Sequence, residues 1–152
     1  MDLGELRSRL YRALETPWVY TLVQRVSAPG SGRLLGHVAA ATFAKSRGLV
    51  LDVGCGPRLN TPPPQGRMLG LDINRDYVAE YRLGTDRQGV QGSAAALPFA
   101  PESFAEARSW GILHHLPDDV ASASIREMAR CVEPGGRVVV FDNVWPRRAM
   151  TR

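Results

Sequence analysis

The 152-residue chain contains little cysteine, almost no lysine and no long apolar run. Cys55 and Cys131 are its only cysteines, and they are not spaced as metal ligands or as a redox pair, so we expect reduced thiols and no metal site. Lys45 is the only lysine, and the net charge of +4 comes from arginines scattered along the chain. Without a basic block, binding to nucleic acid is not expected. No apolar run approaches the length of a membrane span, so no transmembrane helix is predicted.

The first 47 residues have the apolar spacing of amphipathic helices, with arginines between the apolar positions. Arg7, Arg9 and Arg12 interrupt what would otherwise resemble the apolar centre of a signal peptide, so a cytoplasmic location is expected. We predict one globular domain overall, in which residues 1–47 form a helical extension. This extension packs on or caps an α/β core made of residues 48–152.

A glycine-rich loop follows the first predicted strand. The apolar run at residues 49–53 is too short for a helix and is typical of a buried parallel strand. Gly54 and Gly56 then let the backbone turn tightly and approach a ligand closely. A second predicted strand, at residues 68–73, carries Asp72 about twenty residues beyond the loop, where an acid accepts hydrogen bonds from ribose hydroxyls. Together they predict a nucleoside-binding site, with an ordinary strand-to-loop turn as the alternative.

The rest of the chain alternates predicted strands and helices. One helix is predicted at residues 75–83. Another is predicted to be capped by Asp118 or Asp119 and to turn Ile125, Met128, Ala129 and Val132 inward. Three more strands are predicted at residues 88–92, 105–109 and 137–141. Such alternation is typical of α/β domains with a parallel sheet, which bind ligands at the carboxyl ends of the strands.

Two stretches fit this pattern poorly. Glu106 and Arg108 share one face of the fourth predicted strand, so we expect them to pair or to lie on an exposed face, since a fully buried central strand suits them poorly. The insert at residues 57–66 contains three successive prolines, which cannot propagate an α-helix. The crossover from the first strand to the second is therefore predicted to be a short turn and an extended segment.

Four stretches, in order, resemble the motifs of class I S-adenosylmethionine-dependent methyltransferases. They are Leu51-Asp-Val-Gly-Cys-Gly, Gly70-Leu-Asp-Ile-Asn, Gly92-Ser-Ala-Ala-Ala-Leu-Pro-Phe with Ser103-Phe104, and Leu113-His-His-Leu-Pro-Asp with Arg126-Glu-Met-Ala-Arg and Glu133-Pro-Gly-Gly-Arg. The resemblance covers about residues 48–146 and is closest to the small-molecule type (methyltransferase type 11-like), which includes quinone-biosynthesis enzymes. It implies a three-layer, Rossmann-like α/β fold with a mainly parallel sheet in the order 3-2-1-4-5.

The resemblance also implies the reaction, which is transfer of a methyl group from S-adenosyl-L-methionine to a small-molecule acceptor, with S-adenosyl-L-homocysteine as the product. No dedicated catalytic residue is predicted, because the methyl carbon is already activated and the protein mainly positions the acceptor. His114 and His115 are candidates for acid–base roles, and Asp142 lies at a strand end that faces the ligand. The residues implied for cofactor binding are Asp52, Gly54, Cys55, Gly56, Asp72, Ile73, Ser93, Ala94 and Trp110.

Three other functions stay open. An NAD-dependent dehydrogenase would need a third glycine that opens a helix, and the prolines interrupt that pattern. A nucleic-acid methyltransferase that modifies amino groups would carry an Asn-Pro-Pro-aromatic signature after the fourth strand, and the sequence lacks it there. A non-catalytic or truncated methyltransferase-like domain is favoured by the missing helix, by the polar fourth strand, and by Ser93 where the family often has an adenine-binding aspartate.

The resembled family usually adds an antiparallel hairpin after the fifth strand, and too few residues remain here to form it. The apolar run at residues 138–141 would then belong to an edge strand, which invites pairing with another chain. We expect a fragment or a naturally shortened form. There are two alternatives. The chain could form a homodimer through the edge of the fifth strand, or the N-terminal helices could cover that edge.

Overall fold

The computed structural model describes residues 48–57, 67–83 and 87–142, together with the single positions 37, 38 and 41. Apart from those three positions, the predicted N-terminal helices lie outside the described residues. So do the proline-rich crossover after Pro57 and the segment beyond Asp142. The description of the fold below is therefore one of the α/β core.

The core contains five strands and two α-helices within the described residues. In chain order the elements are β1 (Val50–Val53), β2 (Met68–Asp72), α1 (Arg75–Arg82), β3 (Gln88–Gln91), β4 (Phe104–Trp110), a 3₁₀ helix (Leu113–His115), α2 (Asp118–Cys131) and β5 (Val132–Phe141). The strands form one parallel sheet in the order β3-β2-β1-β4-β5. The predicted sheet order is confirmed, and β1 lies at its centre.

The two faces of β1 pack into separate apolar clusters. Leu51 and Val53 are fully buried in a cluster that includes Met128 and Cys131 of α2. Val50, on the opposite face because side chains alternate along a strand, belongs to a second cluster with Tyr81 of α1. The helices therefore cover opposite faces of the sheet, which gives the predicted three layers.

The fourth strand is buried along most of its length, although it carries two charged side chains. Glu106 and Arg108 are each 1% exposed. Arg108 Nη2 donates to Asp52 Oδ2 on β1 at 3.2 Å, and Arg137 Nε on β5 donates to Glu106 Oε2 at 2.6 Å. The expectation that these residues do not suit a buried central strand is wrong, because each charge meets an opposite charge from a neighbouring strand.

The helix α2 differs from its prediction in its N-terminal cap and in its buried face. Pro117 occupies the N-cap position without a side-chain cap bond, so neither Asp118 nor Asp119 caps the helix. Ser124, Met128 and Cys131 form its buried face. Ile125 is 44% exposed and Ala129 is exposed as well, so the predicted inward orientation of these two residues is wrong.

The strand β5 follows α2 directly and lies at the edge of the described sheet. The pairing of Phe104 with Val132 is followed by the pairing of Glu106 with Arg137, so residues 133–136 are taken up in a bulge opposite a single residue. Gly135 in that bulge has a φ of 82°. No helix in the described part of the chain has the length and apolar character needed to cross a membrane.

Candidate functional site

The glycine-rich loop turns over the carboxyl end of the central strand. Gly54 has a φ of 71°, in the left-handed region that favours glycine. The amides of Gly54 and Cys55 both donate to the Leu71 carbonyl, at 2.7 and 3.1 Å, so the loop is fastened to β2. Gly56 has a φ of 61°, and a Cβ built on it would meet no atom within 4 Å. The loop therefore leaves open space beside Gly56, where a ligand can approach the backbone closely.

Asp72 ends β2 next to this loop, and it holds the loop in place. Its Oδ2 accepts a hydrogen bond from the Gly56 amide at 3.0 Å, and its Oδ1 accepts one from the Asn74 amide at 2.9 Å. The residue is 9% exposed, and this burial raises the pKa of the carboxyl group against the opposing effect of the backbone donors. Because an ionised carboxylate has about four acceptor positions, capacity remains for two further hydroxyl donors.

The residues implied for contact with an adenine ring flank Asp72. Ile73 is 74% exposed, which is unusual for a large apolar side chain at the end of a buried strand. The Gly92 amide donates to the Asp72 backbone carbonyl at 2.9 Å and so brings the segment after β3 to the same edge. In that segment Ser93 is exposed and Ala94 is half-buried. The predicted residues Asp72, Ile73, Ser93 and Ala94 are thus brought together.

Asp52 lies deeper than the other predicted site residues. It is 1% exposed, and its Oδ2 accepts hydrogen bonds from Tyr81 Oη and from Arg108 Nη2, both at 3.2 Å. Its Oδ1 has no hydrogen-bond partner among the described residues. Asp52 therefore forms an ion pair with Arg108, and one of its acceptor oxygens is left without a partner among the described residues. The predicted contact of Asp52 with a cofactor stays a prediction.

Cys55 takes part in the loop through its backbone. Its side chain is fully buried in the cluster that contains Tyr81, and burial raises the pKa of the thiol far above its ordinary value. The thiol therefore stays neutral near pH 7. Any contribution of Cys55 to ligand binding comes from the path of its main chain.

On the other side of β1, the end of β4 carries an aromatic pair. The rings of Trp110 and Phe141 stack with centroids 4.2 Å apart and an interplanar angle of 16°. The Gly111 amide donates to the Phe141 carbonyl at 2.8 Å, which continues the pairing of the two strand ends. A Cβ added to Gly54 would overlap with the Ile112 side chain. The segment after β4 therefore packs directly on the glycine-rich loop.

A histidine and a carboxylate form a couple at the same edge. Asp142 Oδ1 lies 2.5 Å from His114 Nδ1, and Asp142 Oδ2 accepts a hydrogen bond from the Leu113 amide at 2.6 Å. The ring of His115 packs on that of His114 with centroids 3.8 Å apart. Burial and the neighbouring His114 lower the pKa of His115, and Asp142 opposes them. We refer to His114 and Asp142 as the His–Asp couple.

The sequence identifies His114 and Asp142 as separate candidates but does not predict that they contact each other. The predicted strand order already contains the missing signal, because residues that follow two neighbouring parallel strands meet at one edge of the sheet. His114 follows β4 and Asp142 follows β5, and these two strands are adjacent.

Comparison with known proteins agrees with this architecture. The family described as a methyltransferase domain matches residues 51–140, which is more than half of the chain. The demethylmenaquinone methyltransferase of Desulfitobacterium hafniense (strain Y51) is 33% identical over 141 residues, a match that covers 88% of this chain and 51% of that protein. The ubiquinone/menaquinone biosynthesis C-methyltransferase UbiE of Desulfotalea psychrophila (strain LSv54 / DSM 12343) is 30% identical, and the match covers 85% of this chain and 55% of that protein.

The fold is also similar to that of the YcgJ protein from Bacillus subtilis, whose crystal structure aligns with a TM-score of 0.62 and 25% identity. That alignment covers 76% of this chain and 53% of YcgJ. The chain spans about half the length of the curated relatives it matches. The family match begins in β1, ends in β5 and covers more than half of the chain. The chain therefore belongs to the methyltransferase-domain family, and its resemblance to class I S-adenosylmethionine-dependent methyltransferases is confirmed.

Proposed function

We propose that the chain binds S-adenosyl-L-methionine at the edge formed by the glycine-rich loop and the end of β2, and that it catalyses methyl transfer to a small-molecule acceptor. The observation that carries this proposal is the position of Asp72. Its carboxylate holds the Gly56 amide at 3.0 Å, next to the 74% exposed side chain of Ile73. A buried carboxylate, a glycine with open space beside it and an exposed apolar side chain therefore lie together.

The residues at this edge fit the chemical groups of the cofactor. Asp72 has the acceptor capacity for the two ribose hydroxyls, and such charge-assisted hydrogen bonds are strong. Ile73 offers apolar surface to the adenine ring, and Ser93 and Ala94 border it. The amides of Gly54 and Cys55 already donate to Leu71, so the loop contributes by close approach at Gly56 and by its other backbone groups. When bound, the cofactor supplies a methyl group that is electrophilic because it is attached to a sulfonium ion.

The proposed acceptor is a small aromatic molecule. Both relatives described above are named as methyltransferases of quinone biosynthesis, and the stacked Trp110–Phe141 pair places aromatic surface at the ends of β4 and β5. Aromatic rings stack on such surfaces, with a gain of about 0.5–1.5 kcal/mol for each pair beyond the burial of area. Self-association through the edge of β5 and a cytoplasmic location remain predictions.

Calorimetry with the purified chain tests the cofactor. We expect S-adenosyl-L-methionine and S-adenosyl-L-homocysteine to bind with a stoichiometry of one, and NAD to produce no binding heat. A second assay follows the radiolabelled methyl group from S-adenosyl-L-methionine to reduced 1,4-naphthoquinone. Binding of NAD in preference to both sulfur compounds would contradict the proposed cofactor. Binding of the cofactor without transfer would contradict the proposed acceptor.

A further inference from the structure

We propose that Gln91 is a positioning residue for the cofactor, because it holds the main chain of Ile73 so that the exposed Ile73 side chain faces the adenine ring. This inference rests on the proposed function, since Ile73 is the apolar side chain offered to that ring. It adds Gln91, the last residue of β3, to the residues on which cofactor binding depends.

The side-chain amide of Gln91 reaches from β3 to the residue that follows β2. Its Nε2 donates a hydrogen bond to the Ile73 carbonyl at 3.0 Å. A carbonyl oxygen only accepts hydrogen bonds, so the nitrogen of the side-chain amide, rather than its oxygen, faces Ile73. Gln91 lies directly opposite Asp72 in the register of the two strands, and each is the last residue of its strand. The contact therefore lies at the same edge of the sheet as the Asp72 carboxylate.

The residues on either side of Ile73 are held by other hydrogen bonds. The Gly92 amide donates to the Asp72 carbonyl at 2.9 Å, and the Asn74 amide donates to Asp72 Oδ1 at 2.9 Å. The side chain of Asn74 also accepts hydrogen bonds from two amides in the first turn of α1. The bond from Gln91 fixes the peptide group between Ile73 and Asn74, so it completes the path of residues 72–74.

Ile73 depends on this main chain for the direction of its side chain. The side chain is 74% exposed, so little packing against the protein orients it. Isoleucine is branched at Cβ, and its χ1 rotamer is restricted by the local backbone conformation. A bond that fixes the backbone of Ile73 therefore also restricts where the side chain points. A side chain that is oriented in advance loses less conformational entropy when a ring covers it, which favours binding.

Methyl NMR tests this orientation in the free chain. The sequence has three isoleucines, Ile73, Ile112 and Ile125, so labelling of isoleucine methyl groups gives few signals, and Ile73→Ala identifies those of Ile73. Gln91→Leu removes the donor and keeps a side chain of similar size. It should shift the Ile73 signals towards those of averaged rotamers and leave those of Ile125, on α2, unchanged. The matched control, Gln88→Leu at the exposed start of β3, should leave the Ile73 signals unchanged.

Calorimetry with S-adenosyl-L-homocysteine tests the consequence for the cofactor. The net contribution of a neutral hydrogen bond corresponds to a change of about 2- to 12-fold in an equilibrium constant, so Gln91→Leu should raise the dissociation constant by that factor. Ile73→Ala should raise it about 10-fold, because apolar contact with the ring is lost. Since Gln91 acts through Ile73, adding Gln91→Leu to Ile73→Ala should raise it no further. A merely structural role of Gln91 would not produce this non-additivity.

Thermal scans establish that the variants are folded at the temperature of the titrations, and Gln88→Leu should bind like the wild type. A wild-type dissociation constant in Gln91→Leu, or unchanged Ile73 signals in that variant, would overturn the inference. So would an effect of Gln91→Leu that is equally large with and without the Ile73 side chain. Each of these results leaves the proposed function standing. Failure of the wild-type chain to bind both S-adenosyl-L-methionine and S-adenosyl-L-homocysteine would overturn the proposed function instead.

Discussion

At the scale of single residues, the buried ion pair between Asp52 and Arg108 affects the free energy of unfolding. Both side chains are 1% exposed, and Asp52 also accepts a hydrogen bond from Tyr81. Removing one partner of a buried pair leaves an uncompensated charge, which costs about 3–5 kcal/mol. We expect Arg108→Met to lower the free energy of unfolding by that amount, measured by urea denaturation.

A double variant separates the stability cost of the unpaired buried charge from the cost of the lost side-chain packing. Asp52→Asn combined with Arg108→Met removes both charges and keeps an acceptor for Tyr81, so it should be more stable than Arg108→Met alone. Arg126→Met, at an exposed position on α2, is the control for the loss of a positive charge and should have little effect. A double variant whose destabilisation equals the sum of the two single ones would contradict this account.

The two glycines of the loop provide a second comparison between residues. Gly54 and Gly56 both have a positive φ, so alanine at either costs about 1–2 kcal/mol. Only at Gly54 would the new Cβ also overlap with Ile112, and overpacking of this kind typically costs a further ~1–3 kcal/mol. Thermal and urea unfolding should therefore show Gly54→Ala as the less stable variant. Equal stability of the two variants would show that the segment after β4 does not pack on the loop.

At the scale of elements, α2 holds the segment that follows β3. Arg130 donates to the carbonyls of Leu97 and Phe99 at 3.1 and 2.9 Å, and Glu127 Oε2 accepts from the Leu97 amide at 2.9 Å. Arg130 also binds both oxygens of Glu127, at 2.7 Å each. This arrangement fixes residues 97–99, which continue the segment that contains Ser93 and Ala94.

The Glu127 carboxylate makes this attachment dependent on pH. Its hydrogen bonds from Arg130, followed by that from the Leu97 amide, lower its pKa from the ordinary 4.5 to about 2. Because the pKa is lower in the folded state, the stabilisation is complete above about pH 4.5 and is lost as the pH falls towards 2. Glu127→Gln should lower the Tm by roughly 1–4 °C at pH 7, since the pair is partly exposed.

The Tm difference between wild type and Glu127→Gln should become smaller as the pH falls below 4.5, which a series of calorimetric scans measures. Glu133→Gln removes the same charge at an exposed position and is the matched control. A Tm difference that stays constant from pH 7 to pH 3 would show that the attachment does not depend on the Glu127 charge.

The elements also show how far the sequence determines the structure. Apolar runs and glycines predict β1, β2 and β5, because an apolar run that ends at a glycine or a polar residue is a strong local signal of a buried parallel strand. The polar strands β3 and β4 have a much weaker local signal. The inward face of α2 does not follow from hydrophobicity alone, since the polar Ser124 is buried there while the apolar Ile125 is 44% exposed. The burial of Glu106 and Arg108 depends on Arg137 and Asp52, which are distant in sequence. Local patterns carry no information about such partners.

At the scale of the whole molecule, the order of the strands brings the two parts of the site together. The family motifs predict the order 3-2-1-4-5, and that order places Asp72 and the His–Asp couple on opposite sides of one loop. The sequence therefore predicts which residues reach the edge. It does not predict the hydrogen bonds at that edge, such as Gly56 to Asp72 or Leu113 to Asp142, because they depend on the exact path of two loops.

The central claim is that this edge binds S-adenosyl-L-methionine through Asp72, and titration calorimetry of Asp72→Ala tests it most directly. Hydrogen bonds to a charged group contribute about 1.5–3 kcal/mol, so the dissociation constant should rise about 10- to 150-fold. Asp76→Ala removes the same charge from the exposed start of α1 and should bind like the wild type. Thermal scans establish that both variants are folded. An unchanged dissociation constant in folded Asp72→Ala, or an equal rise in Asp76→Ala, would contradict the account.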